Sequence, residues 1–308
     1  MNASPPRLSA SPDAHLVLGR AKVLYTDLDG TLLGRGGSLL TDVEGRPDAT
    51  AAKAVAMLNA ETLPVIAISG RNLKQLRELA RLLGWHDFIA EVGTLRVRER
   101  GTEVRYELGD WTPGLVEETG LTPYEVIERA GAVAALLGAF PGKLEYHAPY
   151  HTDRLVTHAL RGEVDLAAAQ TVLDTFELPL AIVDNGVIRP LRHTLVDIRH
   201  IHAYHVMPRG VTKVHAIEAD LAERGRVRED AIAIGDSVTD VAMAPAVGLL
   251  VLVANALEQA EVGEAAAIHD NIVVTAGAAG HGWAELAGAW IRARAEASCA
   301  VDAGDPSG

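Results

Sequence analysis

The sequence predicts an α/β protein in which a doubly wound parallel-sheet core is interrupted by an inserted α+β domain. Short, almost wholly apolar runs alternate with segments of helical period, which is typical of parallel strands covered by helices on both faces. The middle of the chain has alternating strand patterns instead, which favour an antiparallel sheet. The 308 residues, of which 48% are hydrophobic, are enough to fill two cores.

The core strands are predicted from the apolar runs, and the helices between them from an apolar stripe at helical spacing. The three predicted helices cover residues 48–60, 72–84 and 212–225, and the last two end on a glycine that can stop a helix. The predicted core strands are 22–26, 63–69, 87–92, 231–236, 248–255 and 271–275. Together these elements predict a doubly wound sheet.

The domain boundaries follow from where the pattern changes. The core is predicted over 20–92 and 207–293, and the insertion over 93–206 with helices near 123–137 and 165–176 and a sheet open to solvent on one face. The Ser/Pro/Ala-rich start, residues 1–19, and the small, polar end, residues 294–308, are predicted to be disordered tails.

The composition of the chain indicates which kinds of binding partner and which cellular compartment are expected. The chain carries 28 Lys and Arg against 41 Asp and Glu, and this net charge of −13 disfavours nucleic acid as a partner. Cys299 is the single cysteine, so the sequence allows no intrachain disulfide or multi-cysteine metal site. No apolar stretch is long enough to cross a bilayer. We expect a cytoplasmic monomer or homodimer without a membrane partner.

Polar residues follow several of the predicted core strands. Ligands of parallel α/β sheets bind beyond the carboxyl ends of the strands, so these residues are candidates for one site. Clustered carboxylates repel one another, and a hard divalent cation such as Mg²⁺ resolves that repulsion with oxygen ligands and substrate phosphate. The residues at the strand ends are Asp27, Asp29, Ser69, Gly70, Arg71, Asp236, Asp240 and Asn255.

Each of these signals has an ordinary structural explanation when taken alone. A lone D-x-D-G is common in turns, Ser69 could be an N-cap, and Asp240 could be an acidic residue in the first turn of a helix. Lys213 alone would be a solvated helix residue, although it could also steady a carboxylate and a phosphoryl group together. Their order and their shared position at strand ends or helix starts favour one functional site.

The combination resembles the haloacid dehalogenase superfamily of phosphohydrolases. Four motifs occur in the expected order: D-x-D-G-T as "DLDGT", a serine after the second strand as "ISGR", the lysine Lys213, and G-D-x-x-x-D as "GDSVTD". The resemblance implies a Rossmann-like core, and the insertion looks like a C2-type cap. Within that set, "DFIAEVGTLRV" and "KLEYH" look most like the Cof-like and sucrose-phosphatase-like branch.

The resemblance also implies roles for individual residues. Asp27 would be the nucleophile that forms an aspartyl-phosphate, and Asp29 the general acid and base. Ser69, Gly70 and Lys213 would bind the phosphoryl oxygens. Mg²⁺ would be held by Asp27, the Asp29 backbone carbonyl and Asp236, with Asp240 in support. One departure is visible: many members have Asn-Asp at the end of the fourth motif, where this chain has Thr239 and Asp240.

Substrate choice is expected to depend on the cap, which would contact the part of the substrate away from phosphorus. Glu145, His147, His151 and Arg154 form a suitable polar set, although the cap histidines could also be surface or hydrogen-bonding residues. The expected substrate is a small phosphorylated metabolite such as a sugar phosphate or a glycosyl-phosphoglycerate. The alternatives are a phosphomutase of the phosphomannomutase type and a non-catalytic binding protein of the same fold.

Overall fold

The computed structural model describes residues 5–190 and 192–303. They form two compact units, the first made of residues 5–69, 80–87 and 213–303 and the second of residues 70–79, 88–190 and 192–212. These boundaries differ from the predicted insertion over 93–206. The strand Phe88–Ala90 pairs with the strand that follows it, which accounts for its place in the second unit.

The strands and helices of the described residues are numbered here in chain order. The strands are β1 (Val23–Thr26), β2 (Val65–Ile68), β3 (Phe88–Ala90), β4 (Leu95–Arg98), β5 (Glu103–Tyr106), β6 (Leu144–Tyr146), β7 (His158–Gly162), β8 (Leu180–Ile188), β9 (Ile201–Pro208), β10 (Ala231–Gly235), β11 (Leu249–Leu252) and β12 (Ile272–Val274). The helices are α1 (Pro12–Arg20), α2 (Thr50–Ala60), α3 (Leu73–Leu83), α4 (Leu115–Thr119), α5 (Pro123–Ala130), α6 (Ala132–Ala139), α7 (Leu166–Leu173), α8 (Lys213–Glu223), α9 (Val238–Val241), α10 (Ala260–Ala266) and α11 (Ala279–Ala303).

The first unit contains a parallel sheet with the strand order β12-β11-β10-β1-β2. Every residue of these five strands is buried, as expected when helices cover both faces of a sheet. Helix α11 packs against both α1 and α2. The predicted α/β fold with a parallel-sheet core is therefore confirmed.

The second unit is an α+β structure with antiparallel strands. β3, β4 and β5 pair in sequence, and a separate four-stranded sheet has the order β6-β7-β9-β8. One face of the four-stranded sheet packs on α5, α6 and α7 through apolar side chains that include Leu160, Tyr204 and Val206. The predicted helix over 123–137 is two helices, because Gly131 adopts a left-handed φ of 78° between them.

The prediction that the other face of the antiparallel sheet is open to solvent is wrong. Ala159, Arg161, Ala203 and His205 are all buried. Loop segments of the same unit cover part of this face, since the guanidinium of Arg161 donates to the carbonyl oxygens of Ala148 and Arg192 at 3.0 and 2.9 Å. Polar side chains here are satisfied by loop backbone, which a strand pattern alone does not reveal.

The predicted disordered tail over residues 1–19 is wrong for the described part of that segment. Helix α1 begins after Ser11, whose hydroxyl accepts a hydrogen bond from the Ala14 amide, and Pro12 occupies the first helical position. Leu18 is 1% exposed on a helix that packs against α11. A capping signal and an apolar face therefore order this segment, and residues 1–4 lie outside the described residues.

The predicted tail over 294–308 is also wrong as far as residue 303, since α11 runs to Ala303. The segment is rich in alanine, which has the highest helix propensity. The guanidinium of Arg294 donates to the carbonyl oxygen of Ala21 at 2.8 Å, and Ala293 is buried. Residues 304–308 lie outside the described residues.

Among the helices of the described residues, none combines the length and the apolar character that a membrane span requires.

Candidate active site

The candidate site of the first unit lies at the carboxyl ends of β1 and β10. These strands pair in parallel, with Thr26 opposite Ile234, and the Asp27 amide donates to the Ile234 carbonyl oxygen at 3.0 Å. Asp27 therefore leaves β1 at the level where β10 ends and Asp236 follows. The strand order brings two carboxylates that are more than 200 positions apart to the same edge of the sheet.

Three carboxylates converge at this edge. Asp27, Asp236 and Asp240 each place a carboxylate oxygen within 4.8 Å of the others. Burial raises the pKa of Asp27 well above its ordinary value; Asp240 adds to the rise and Lys213 opposes it. Burial, followed by the charge of Asp240, raises the pKa of Asp236 to about 7. The cluster therefore retains protons near neutral pH unless a cation offsets its charge.

Lys213 supplies one positive charge to this cluster from the first residue of α8. Its ammonium donates to Asp240 Oδ1 at 2.6 Å and to Asp27 Oδ1 at 3.3 Å, and its side chain is 4% exposed. Burial alone would lower the pKa of Lys213, but Asp240 and Asp27 raise it above its ordinary value. The lysine is therefore a permanent cation between two of the three carboxylates.

Asp240 is held from both sides. Its Oδ2 atom accepts hydrogen bonds from the backbone amides of Asp236 and Ser237 at 3.1 and 3.0 Å and from the Ser237 hydroxyl at 2.6 Å, while Oδ1 faces Lys213. Both oxygens are thus committed to protein donors, which suits a supporting role beside a cation. The hydroxyl of Thr239, the residue before Asp240, lies 2.9 Å from that of Ser237.

Asp236 is oriented by two residues from other parts of the first unit. The hydroxyl of Thr31 donates to Oδ1 at 3.0 Å, and the amide of Asn255 lies 3.4 Å from Oδ2 and donates to the Gly30 carbonyl oxygen at 3.0 Å. No separate role was predicted for Thr31, although its place in "DLDGT" was the available signal. Asn255 follows β11, and the sequence analysis had placed it among the candidate residues at strand ends.

Asp29 and Ser69 are placed at the same edge by their strands. Asp29 is exposed in the turn after β1, where it forms an isolated bridge with Leu33. Ser69 is 3% exposed directly after β2, which pairs with β1 through Thr26 and Ala67. Gly70, the next residue, belongs to the second unit.

The donor set fits a hard divalent cation. The converging side-chain atoms are all oxygens, two of the carboxylates have raised pKa values, and no sulfur or imidazole is among them. Such a set suits Mg²⁺, which prefers oxygen ligands and binds through few carboxylates together with phosphate and water. Asp27 and Asp236 accept fewer hydrogen bonds from the protein than Asp240, which accepts three at Oδ2 and one from Lys213 at Oδ1.

The four polar residues predicted for substrate contact all lie in the second unit, and two of them are committed to internal bonds. Glu145 accepts from the Arg161 guanidinium at 2.6 Å, from the Thr194 amide at 2.9 Å, and from the Thr194 hydroxyl. The side chain of Arg154 is 2% exposed, and its guanidinium donates to Thr157 Oγ1 and to the Tyr150 and Gly70 carbonyl oxygens at 2.9, 3.1 and 2.7 Å. Both residues therefore have structural partners.

His147 and His151 differ from these two. The Nδ1 atom of each is buried without a hydrogen-bond partner among the residues the structure describes. Burial, and then the neighbouring Arg161 and Arg154, lowers the pKa of His147 to about 4. At neutral pH this imidazole is therefore uncharged.

The chain was compared with protein families and with curated proteins. Residues 192–269 match a family described as haloacid dehalogenase-like hydrolase. The comparison with curated proteins gave no match. The matched segment contains Lys213, Asp236 and Asp240, three of the four residues that meet at the sheet edge.

Solved structures share the fold over most of the chain. The sucrose-phosphatase of Synechocystis sp. PCC6803 is 13% identical, with 88% of this chain and 98% of that one covered and a TM-score of 0.59. A haloacid dehalogenase-like hydrolase from B. subtilis is 15% identical, with 87% and 99% covered and a TM-score of 0.52. A subclass IIB sugar phosphatase of the superfamily is 16% identical, with 82% and 94% covered and a TM-score of 0.53. The resemblance to the haloacid dehalogenase-like hydrolases is thus confirmed, and the chain has their fold.

Proposed function

We propose that the protein is a Mg²⁺-dependent phosphomonoesterase that acts through an aspartyl-phosphate on Asp27. The observation that carries the proposal is the placement of Asp27 beside Lys213, Asp236 and Asp240 at the carboxyl edge of the parallel sheet. A carboxylate nucleophile in this site is repelled by the neighbouring carboxylates and by the phosphate ester. The Lys213 ammonium offsets part of this negative charge. The family match supports hydrolase chemistry.

The proposed reaction has two steps. A carboxylate oxygen of Asp27 attacks phosphorus, the ester P–O bond breaks, and Asp29 donates its proton to the leaving alkoxide. A water oxygen then attacks phosphorus and gives a proton to Asp29. The bond between phosphorus and the Asp27 oxygen breaks, so that the Asp27 carboxylate is restored and phosphate is released. Asp29 suits the proton-transfer role because it is exposed and lies two residues after the nucleophile.

Ser69 and the Gly70 backbone are proposed to bind phosphoryl oxygens, with the Lys213 ammonium opposite negative charge. Asp27, the Asp29 backbone carbonyl and Asp236 are proposed to hold Mg²⁺, and Asp240 to support it. When bound, Mg²⁺ would offset the negative charge of the carboxylates and of the phosphoryl group. The proposed donors to the phosphoryl group thus come from the end of β2 and from the first residue of α8.

The proposed substrate is a small phosphorylated metabolite, and a sugar phosphate is the favoured class. Two of the similar structures are named as a sucrose-phosphatase and as a sugar phosphatase. His147 and His151 are proposed to form hydrogen bonds with substrate hydroxyl groups, since no hydrogen bond among the described residues commits their rings as those of Glu145 and Arg154 commit these two side chains. A panel of phosphorylated sugars and polyols, assayed for phosphate release, tests this choice.

The function is tested by phosphate release from an aryl phosphate, with and without EDTA. We expect the wild type to need Mg²⁺, and Asp27→Asn to lose about 10³-fold or more of kcat because the nucleophile is gone. Thermal unfolding of Asp27→Asn serves as the folding control. Equal, metal-independent rates for both proteins would contradict the proposal. An isomerised sugar phosphate without free phosphate would identify a mutase instead.

A further inference from the structure

Helix α11 is hydrogen-bonded to strand β1 near both ends of the strand. Two indoles of the helix, Trp283 and Trp290, are seven residues apart and therefore lie on one face. Trp283 Nε1 donates to Thr26 Oγ1 at 3.0 Å, and Trp290 Nε1 donates to the Ala21 carbonyl oxygen at 3.3 Å. Both indoles are fully buried. Thr26 is the last residue of the strand and precedes Asp27, whereas Ala21 lies before the first residue of the strand.

The hydrogen bond from Trp283 continues to the backbone of Asp27. Thr26 Oγ1 accepts from Trp283 and donates to the Asp27 carbonyl oxygen at 2.7 Å. An indole N–H can only donate and a carbonyl oxygen can only accept, so the direction of both bonds is determined. Thr26 is fully buried, and its hydroxyl thus joins the indole of α11 to the peptide of the proposed nucleophile.

The backbone of Asp27 is held on both sides of its Cα atom. The Asp27 amide donates to the Ile234 carbonyl oxygen of β10 at 3.0 Å, and the Asp27 carbonyl oxygen accepts from Thr26. The chain then turns, since the Leu28 carbonyl oxygen accepts from the Leu33 amide at 2.8 Å. Because both the amide and the carbonyl group of Asp27 are bonded, the direction in which its side chain leaves the backbone is restricted.

The first turn of α11 is itself anchored at the sheet edge that carries the candidate site. The Ala279 amide donates to Asn255 Oδ1 at 2.8 Å, and the amide nitrogen of the same side chain lies 3.4 Å from Asp236 Oδ2. An added Cβ at Gly282 would overlap a backbone oxygen of the preceding loop, so the helix lies close against that loop. Trp283 is the next residue, and its indole is therefore held by a fixed helix end.

A second tryptophan packs beside Trp283 without such a bond. The ring centroids of Trp85 and Trp283 are 6.5 Å apart, and Trp85 Nε1 is buried with no hydrogen-bond partner in the described part of the chain. The same core thus contains one indole that is bonded to the strand of the proposed nucleophile and one that is not. This difference allows the bond to be tested separately from the packing of the ring.

We propose that Trp283 and Thr26 are positioning residues for the nucleophile: the indole orients the Thr26 hydroxyl, and the hydroxyl holds the Asp27 peptide so that the carboxylate faces phosphorus. The inference rests on the proposed function. A nucleophile must approach to about 3–3.5 Å, and a misplacement of about 1 Å can cost about 10²-fold in rate. Because both side chains are fully buried, they act on the attack and not on substrate binding.

The test measures kcat/KM for an aryl phosphate and the dissociation constant of inorganic phosphate, both with Mg²⁺. Thr26→Val keeps the shape of the side chain without the hydroxyl, and we expect it to lower kcat/KM by about 10- to 100-fold. Trp283→Phe removes the indole N–H, and we expect a loss of about threefold to tenfold, as for one hydrogen bond. Phosphate binding should keep its wild-type value in both variants. Thr26→Ser retains the hydroxyl and should recover most of the rate.

Two variants serve as matched controls. Trp290→Phe removes the corresponding bond at the other end of β1, and Trp85→Phe removes an indole N–H that has no partner among the described residues. Both should keep the wild-type kcat/KM, even where thermal unfolding shows a lower stability. The double variant Thr26→Val/Trp283→Phe should be no slower than Thr26→Val, because Trp283 acts through Thr26.

Wild-type kcat/KM in Thr26→Val and Trp283→Phe would overturn this inference, and so would an equal loss in Trp283→Phe and Trp290→Phe, which a purely structural bond predicts. If thermal unfolding shows that Thr26→Val does not fold, the comparison of Trp283→Phe with Trp290→Phe decides the question alone. A wild type without Mg²⁺-dependent hydrolysis would overturn the proposed function itself. The two failures are therefore distinguishable.

Discussion

Asp236 occupies the space that a side chain at Gly30 would need. An added Cβ at position 30 would overlap Asp236 Oδ2, and the residue has a left-handed φ of 89°. The glycine of "DLDGT" thus has two physical reasons: the turn after β1 requires a positive φ, and the carboxylate proposed to hold Mg²⁺ must approach the backbone closely.

We therefore predict that Gly30→Ala weakens Mg²⁺ binding at least tenfold, because Asp236 must move away from Asp27. The change should also lower the free energy of unfolding by about 1 kcal/mol through backbone strain alone. Calorimetric titration with Mg²⁺ and chemical unfolding measure the two effects separately.

Gly36→Ala is the matched control for this prediction. Gly36 has a similar φ of 78°, and no atom lies within 4 Å of an added Cβ. It should show the strain without the loss of Mg²⁺ affinity. Equal Mg²⁺ affinities in Gly30→Ala and the wild type would contradict the proposed role of Asp236.

Mg²⁺ binding is predicted to release protons below about pH 7. The pKa of Asp236 is raised to about 7, by burial first and then by Asp240, and that of Asp27 is also raised, so the metal-free carboxylates hold protons that a cation must displace. Apparent Mg²⁺ affinity should therefore fall as pH drops from 8 to 5.5. Calorimetry in two buffers of different ionisation enthalpy, at pH 6 and pH 8, measures the protons released. Identical heats in the two buffers at pH 6 would be inconsistent with protonated carboxylates.

Lys213→Met is predicted to abolish turnover and to reduce stability. The substitution leaves the buried carboxylates of Asp27 and Asp240 without their cation, and breaking a buried pair costs about 3–5 kcal/mol. Because Lys213 lowers the pKa of Asp27, its loss should shift the acidic limb of any residual pH–rate profile to higher pH. Steady-state rates and unfolding curves at several pH values provide the measurement.

Lys53→Met removes an exposed lysine from α2 of the same unit and is the control. It should change neither the pH–rate profile nor the stability by more than about 0.5 kcal/mol. A Lys213→Met protein with the activity of this control would exclude the proposed role of Lys213.

The strands and the sheet edge at which they end were predicted from the sequence, whereas the individual side-chain contacts at that edge were not. The apolar runs identified β1, β2 and β10, and strand polarity alone placed Asp27 and Asp236 at one edge. The hydrogen bond from Thr31 to Asp236 joins positions 205 residues apart, which no local pattern encodes. Side-chain contacts of this kind depend on how the strands are ordered.

Burial of polar residues was the main source of error in the second unit. Arg154 was predicted to contact substrate as one of a set of polar residues in the insertion, yet it is buried beside Glu91. A charged residue is expected to be exposed unless a charged partner for it is known. The partner of Arg154 is Glu91, which lies 63 positions earlier in the sequence.

The N-terminal helix was missed for a different reason. Its Ser/Pro/Ala-rich composition resembles a disordered tail, but Ser11 and Pro12 are also a helix-start signal. The apolar face of α1 is short. It stabilises the helix only by packing against α11, which is more than 250 residues away in the sequence.

Leu18→Ala is therefore predicted to lower the free energy of unfolding by about 2–4 kcal/mol, although the residue lies in a segment whose composition suggests disorder. Leu18 is 1% exposed, so truncation leaves a cavity on α1, the helix that packs against α11. Leu16→Ala on the same helix removes the same atoms from a side chain that is 68% exposed, and it should change stability by less than about 0.5 kcal/mol. Chemical unfolding of both variants makes the comparison, and equal stabilities would show that α1 contributes nothing to the core.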